Sequence, residues 1–84
     1  MHHFVAHVKS ENFSGSVTVT GFRSKENAQA FLDKVERGLE EAVENNQITR
    51  FETTDVIHSD AGNLYAAEPT DVDDCVDYLI RSAN

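Results

Sequence analysis

The longest regular pattern of hydrophobic and polar positions covers residues 24–46 and has the period of an amphipathic helix. Ser24 is placed to cap the start of this helix, and Asn45 with Asn46 is placed to end it. Gly38 lies beside the apolar stripe, where glycine costs up to about 1 kcal/mol relative to alanine. We therefore predict a close approach of the helix to the sheet at Gly38, with a kink as the alternative. The apolar stripe consists of Ala28, Phe31, Leu32, Val35, Leu39, Ala42 and Val43.

In four stretches hydrophobic and polar positions alternate with a period of two, which is typical of strands. Residues 2–9 and 16–22 predict the two strands of an antiparallel hairpin, with apolar side chains on one face of each strand. Residues 48–58 predict a third strand, and its alternation changes phase near Asp55, which indicates a bulge there. Residues 64–67 predict a short fourth strand, which would complete a second hairpin.

A second amphipathic helix is predicted over residues 70–82. Thr70, followed three positions later by Asp73, makes a start similar to a capping box. Its apolar positions are Val72, Cys75, Val76, Leu79 and Ile80. The whole chain, residues 1–84, therefore predicts a single α+β domain with the element order ββαββα. We expect a four-stranded, mainly antiparallel sheet with two helices packed on one face.

The chain is acidic, and its charge is unevenly placed. The formal net charge is −8; residues 1–50 hold seven acids and six bases, whereas residues 51–84 hold eight acids and one base. This balance disfavours direct contact with nucleic acid or an anionic membrane, because both need cationic side chains. It fits a basic protein partner, and the alternative is that the charge serves only solubility. No apolar run is long enough to span a membrane, and a signal peptide is not evident, so a cytoplasmic protein is expected.

Residue types that could perform chemistry do not form a recognisable site. His3 and His7 share one strand face but lie roughly 13 Å apart, too far to hold one zinc ion together. His58 could approach one histidine of the first strand across the sheet, but no further ligand completes a set. The acids of residues 71–74 are explained by the start of the second helix better than by magnesium. Cys75 is expected to be a core residue. We therefore expect no metal, no cofactor and no enzymatic activity.

The acidic helix surfaces remain as candidates for binding. Glutamates at spacings of four along the first helix repel one another by a few tenths of a kcal/mol per pair, and the second helix repeats such a pair. Retaining them against this cost fits selection for a basic partner, although drift on a solvated face would have the same result. The predicted partner-binding residues are Glu36, Glu40, Glu41, Glu44, Asp73, Asp77 and Tyr78.

The leading hypothesis is a small, acidic, non-enzymatic inhibitor that occupies a basic, nucleic-acid-handling surface of another protein. Phages and mobile elements often encode small acidic proteins of this kind, anti-CRISPR proteins among them. A second hypothesis is a dimeric antitoxin or regulatory subunit, because the threonine-rich hairpin offers a free strand edge for a homodimer. A third is a small-ligand binder or enzyme whose pocket forms only on assembly.

Overall fold

The computed structural model describes residues 1–58 and 72–84. Its elements follow the predicted order, and the predicted α+β class is confirmed. The predicted strand over residues 64–67 and the capping residue Thr70 lie outside the described residues. The elements are β1 (His2–Lys9), β2 (Ser14–Phe22), α1 (Lys25–Glu44), β3 (Arg50–Thr53), β4 (Ile57–His58) and α2 (Val72–Ser82).

Strand β1 is the centre of an antiparallel sheet. Strand β2 pairs with one edge of β1, and both β3 and β4 pair with the other edge. The stretch predicted as one strand over residues 48–58 therefore supplies both β3 and β4. This agrees with the prediction of one strand interrupted by a bulge, and the second arm of the predicted hairpin, residues 64–67, lies outside the described residues.

A one-residue bulge separates β3 from β4. Ala6 lies opposite Thr53, and His3 lies opposite Ile57, so three steps along β1 face four steps along the other chain. The extra residue falls within the segment that contains Asp55, where the sequence predicted a bulge. Val56, in the same segment, is half-buried and packs against the core.

Thr54 maintains the pairing at this bulge through its side chain. Its backbone N–H donates to the carbonyl oxygen of Val5 at 2.9 Å. In return, the backbone N–H of Val5 donates to the hydroxyl oxygen of Thr54, also at 2.9 Å. The hydroxyl thus replaces the backbone carbonyl that a regular antiparallel pair would offer, and neither group of Val5 is left unpaired.

A second irregularity lies at the end of β2. His2 is opposite Phe22 and Phe4 is opposite Val19, so β2 contains one more residue than β1 over this interval. Gly21 has a φ of 96°, a left-handed conformation that glycine adopts without the steric cost of a Cβ. The bulge keeps Phe22 on the buried side, where its ring stacks on that of Phe4 with centroids 6.2 Å apart.

Both helices cover the same face of the sheet and enclose one core. Phe4 is completely buried at its centre, and the ring of Phe31 from α1 lies 6.1 Å from it. Burial of this apolar surface is the main stabilising contribution in a chain of this size. The core residues are Phe4, Ala6, Val8, Val17, Val19, Leu32, Val35, Leu39, Ala42, Ile48, Cys75, Leu79 and Ala83.

The predicted ends of α1 are confirmed. The hydroxyl of Ser24 accepts the backbone N–H of Asn27 at 3.1 Å, as an N-cap does. At the other end Asn46 is left-handed, with a φ of 59°. The backbone N–H of Gln47 then donates to the carbonyl of Ala42 at 2.9 Å, which is the long hydrogen bond of a Schellman motif.

Gly38 does mark a close approach, but its neighbour is α2 and not the sheet. A Cβ built on Gly38 would lie 2.8 Å from Cγ2 and 3.3 Å from Cγ1 of Val76. The predicted approach to the sheet is therefore wrong in its partner. Glycine is needed because the two helices run side by side over the sheet and touch where Val76 projects from α2.

Candidate protein-binding face

The helical layer and the sheet carry different balances of charge. Helix α1 contains six acidic and three basic side chains, and α2 contains three and one. The strands contain only Glu52 as an acid, with Lys9 and Arg50 as bases, and all four histidines of the chain. Because both helices lie on one face of the sheet, the acidic side chains of these elements are concentrated on that side of the molecule.

An open groove of about 420 Å³ runs between α1 and α2 on this acidic side. Gly38 and Ala42 of α1 and Val76 and Ile80 of α2 contribute apolar positions to its lining. Lys34 contributes a basic side chain to the lining. The acidic side chains of the lining are Glu41, Asp73, Asp74 and Asp77.

The structure brings together three of the seven predicted partner-binding residues at this groove. Glu41 lines it from α1, and Asp73 and Asp77 line it from α2. These three side chains come from two helices that are separated by a long stretch of sequence, and only the packing of α1 against α2 makes them neighbours. All three are exposed, so they are accessible to a partner.

The other three predicted glutamates form a separate stripe on α1. Glu36, Glu40 and Glu44 repeat every four residues, which places them along one line of the helix, and none of them lines the groove. Glu40 and Glu44 are exposed, whereas Glu36 is half-buried. The stripe and the groove are thus two acidic areas on the same helical layer.

Tyr78 lies away from both areas. It is 47% exposed, and its backbone carbonyl accepts the hydroxyl of Ser82 at 2.8 Å. Ser82 is one turn further along α2 and packs against Gly15 of β2, so Tyr78 belongs to the flank of α2 that faces β2. The structure therefore does not place Tyr78 beside the groove carboxylates.

Local cations neutralise part of the groove. Arg81 forms an ion pair with Asp77, with 2.7 Å between its Nη2 and the carboxylate Oδ2. Both side chains are well exposed, so this i,i+4 pair contributes only about 0.3–0.5 kcal/mol to stability. A partner cation can compete for Asp77 at little cost to the fold.

Cys75 is a core residue, as the sequence predicted. It lies on the core-facing side of α2 and is fully buried. This burial raises the pKa of its thiol to about 11. The thiol is therefore protonated at neutral pH and is shielded from reagents in solution, which excludes it as a nucleophile.

The histidines are distributed over both faces of the sheet. His2 is paired with His58 across β1 and β4, and their ring centroids lie 5.0 Å apart at an interplanar angle of 70°. His3 and His7 belong to the opposite face of β1. Within residues 1–58 and 72–84, no group of three or more His, Cys, Asp or Glu side chains is arranged to hold a metal ion.

No protein-family model matches this chain, and neither a curated protein nor a solved structure is significantly similar to it. Neither α1 nor α2 combines the length and the apolar character needed to cross a membrane.

Proposed function

We propose that this protein is a small, non-enzymatic binding protein whose helical layer occupies a basic surface of another protein. The observation that supports this most directly is the segregation of charge, with nine of the ten acidic side chains of the helices and strands lying on α1 and α2. A one-sided acidic surface attracts and orients a basic partner, and it repels phosphate backbones and anionic membranes.

The groove between the helices has the chemistry to receive a lysine or arginine side chain of that partner. The apolar positions at Gly38 and Val76 would contact the aliphatic stem, and the carboxylates of Glu41 and Asp73 would accept hydrogen bonds from the charged end. Surfaces that handle nucleic acids are rich in such side chains. We therefore propose inhibition of a nucleic-acid-handling protein, with carboxylates in place of phosphates.

The experiment is capture of the partner from a lysate of the source organism, identification by mass spectrometry, and measurement of its affinity for variants. The double variant Glu41→Lys/Asp73→Lys reverses two groove charges, and Glu40→Lys/Glu44→Lys reverses two charges of the stripe. We expect each to weaken binding at least tenfold, about 1.4 kcal/mol or more, because like charges would then face each other.

Glu52→Lys is the matched control, because it changes the net charge by the same amount per residue on the exposed sheet face. Its affinity should stay close to that of the wild type, and binding should weaken as salt is raised. Equal loss of affinity in Glu52→Lys and in the helix variants, or binding that is insensitive to salt, would refute the proposed face.

A dimeric regulatory module is the second candidate, because β2 forms one edge of the sheet within the described residues. The left-handed Gly21 bends the end of this edge, and a bulge at an edge opposes pairing with another strand. A second copy would therefore have to pair with the first part of β2, near Ser16 and Thr18. Light scattering decides between the two, since a monomer at all concentrations excludes this candidate.

A further inference from the structure

The groove between α1 and α2 has a direction, because the two helices run parallel. Gly38 of α1 packs against Val76 of α2. Further along both helices, the side-chain amide of Asn84, just after α2, donates to the backbone carbonyl oxygen of Gln47, just after α1, at 2.9 Å. Both helices therefore end at the same end of the groove, where the negative ends of their macrodipoles add.

The acidic part of the groove lies towards this end. Glu41 of α1 and Asp77 of α2 line the groove there, and both side chains are exposed. The last turn of α1 contains no basic side chain, so on this helix the dipole is not offset locally. A cation of a partner is therefore attracted to this part of the groove by the side chains and by the backbone.

The other end of the groove carries two basic side chains. Lys34 and Arg37 of α1 line it beside Val72 and Asp73 of α2. Both bases are exposed, and Asp73 offsets one of their two charges. Lys34 lies about 10 Å from Glu41 along the helix axis, because seven residues rise by about 1.5 Å each. Basic and acidic positions thus succeed one another along a single groove.

A segment that carries only basic side chains cannot suit both ends of this groove. Near Glu41 its cations are attracted, whereas near Lys34 and Arg37 they face like charges. Specific interfaces commonly contain such a repulsive element, which discriminates against wrong partners. The two bases have no use in a face that only attracts cations, but they have one in a face that selects among basic surfaces.

We propose that Lys34 and Arg37 determine which basic surfaces the groove accepts, an inference that rests on the proposed function. The preferred segment of the partner places a basic side chain over Glu41 and an acidic side chain over Lys34 and Arg37, about 10 Å away. On a helix of the partner, these two side chains would be about two turns apart. The order of charges also fixes the orientation of the segment in the groove.

The test compares two probes, the partner protein recovered by capture and poly-L-lysine, by biolayer interferometry. In Lys34→Glu/Arg37→Glu we expect affinity for the partner to fall at least tenfold, although the helical layer has become more acidic. The same variant should bind poly-L-lysine about threefold more tightly or better, because this probe has no acidic side chain to lose a contact. Simple attraction between an acidic face and a basic partner predicts tighter binding of both probes.

Arg23→Glu/Lys25→Glu is the matched control, since it changes the net charge equally at two exposed positions outside the groove lining. Its affinity for the partner should stay within about twofold of the wild type. Lys34→Gln/Arg37→Gln removes the bases without adding acids, and it should also weaken binding of the partner. Circular dichroism verifies that each variant is folded.

The outcomes separate this inference from the proposed function. Partner binding that is unchanged or tighter in Lys34→Glu/Arg37→Glu overturns the inference, and so does an equal loss in the Arg23→Glu/Lys25→Glu control. A loss of affinity for both probes overturns it as well, because removal of a barrier to polycations cannot weaken poly-L-lysine binding. Unchanged partner affinity in Glu41→Lys/Asp73→Lys refutes the proposed function itself.

Discussion

The contact between Gly38 and Val76 gives the most direct test of how the two helices pack. In an exposed position of a helix, replacement of glycine by alanine stabilises by about 1 kcal/mol. At Gly38 the new methyl group would lie 2.8 Å from Cγ2 of Val76, well inside van der Waals contact. Val76 is β-branched and stiff at χ1, so it cannot easily turn away. The two effects have opposite signs, and their balance can be measured.

We expect Gly38→Ala to destabilise the protein by about 1 kcal/mol. Overpacking of a fitted contact costs about 1–3 kcal/mol, from which the gain of about 1 kcal/mol in helix propensity is subtracted. For a domain of this size the melting temperature should fall by about 4–8 °C for each kcal/mol lost. Urea titration followed by far-ultraviolet circular dichroism gives the free energy of unfolding.

Truncation of the partner should reverse the sign of the effect. In a Val76→Ala background only the Cβ of residue 76 remains, and it would lie 3.6 Å from the new methyl group, an ordinary contact. Gly38→Ala should then stabilise by up to about 1 kcal/mol, so the double-mutant cycle should give a coupling energy of about 2 kcal/mol.

Ala30→Gly supplies the control for this cycle, because Ala30 is exposed on the same helix and reports propensity alone. It should cost about 1 kcal/mol in both backgrounds. If Gly38→Ala stabilised the wild type, or if the coupling energy were near zero, the close packing of α1 on α2 would be refuted.

Three further replacements test the caps and the core. Ser24→Ala removes the N-cap hydrogen bond and should lower the free energy of unfolding by about 1 kcal/mol in urea titration. Asn46→Gly should be neutral or stabilising and Asn46→Ala should cost about 1 kcal/mol, because the φ of 59° disfavours a Cβ; thermal melts compare the two. Cys75 should resist alkylation in the folded protein and react in urea. Because burial raises its folded pKa to about 11, stability should fall as pH rises from about 8.5 towards 11, and Cys75→Ala should lack that part of the loss.

The sequence could predict the elements because each has a local cause. The period of the apolar positions defines α1, and the capping chemistry of Ser24 and Asn46 marks its ends. The phase change near Asp55 was enough to predict a bulge, since alternation in a strand reports directly on which face is buried. These features depend on residues close together in the chain, so no knowledge of tertiary contacts was needed.

The predictions that needed tertiary contacts were weaker. The special role of Gly38 was visible in the sequence, but its neighbour Val76 lies in a distant helix, and nothing local identifies it. Strand order could not be predicted for the same reason, since it depends on which edge of the sheet the chain returns to. The sequence left open which histidine of the first strand lies near His58, and the register of β4 on β1 makes it His2.

The proposed binding surface shows the same division between local and tertiary information. The stripe of Glu36, Glu40 and Glu44 could be read from a spacing of four residues. The groove could not, because it requires α1 and α2 to pack side by side so that Glu41 approaches the aspartates of α2. Tyr78 was grouped with those aspartates by sequence proximity, although it does not line the groove.

The location of the charge distinguishes binding from solubility better than its amount does. Solubility depends on net charge, which carboxylates on either face supply equally well. On α1 and α2, however, the acids repel one another along each helix, a cost that placement among the polar positions of the strands would avoid. The exposed face of the sheet instead carries threonines and histidines, with Glu52 as the acid of the strands. A requirement for solubility alone predicts that Glu40→Lys and Glu52→Lys behave alike, whereas a binding face predicts that only the first impairs capture of the partner.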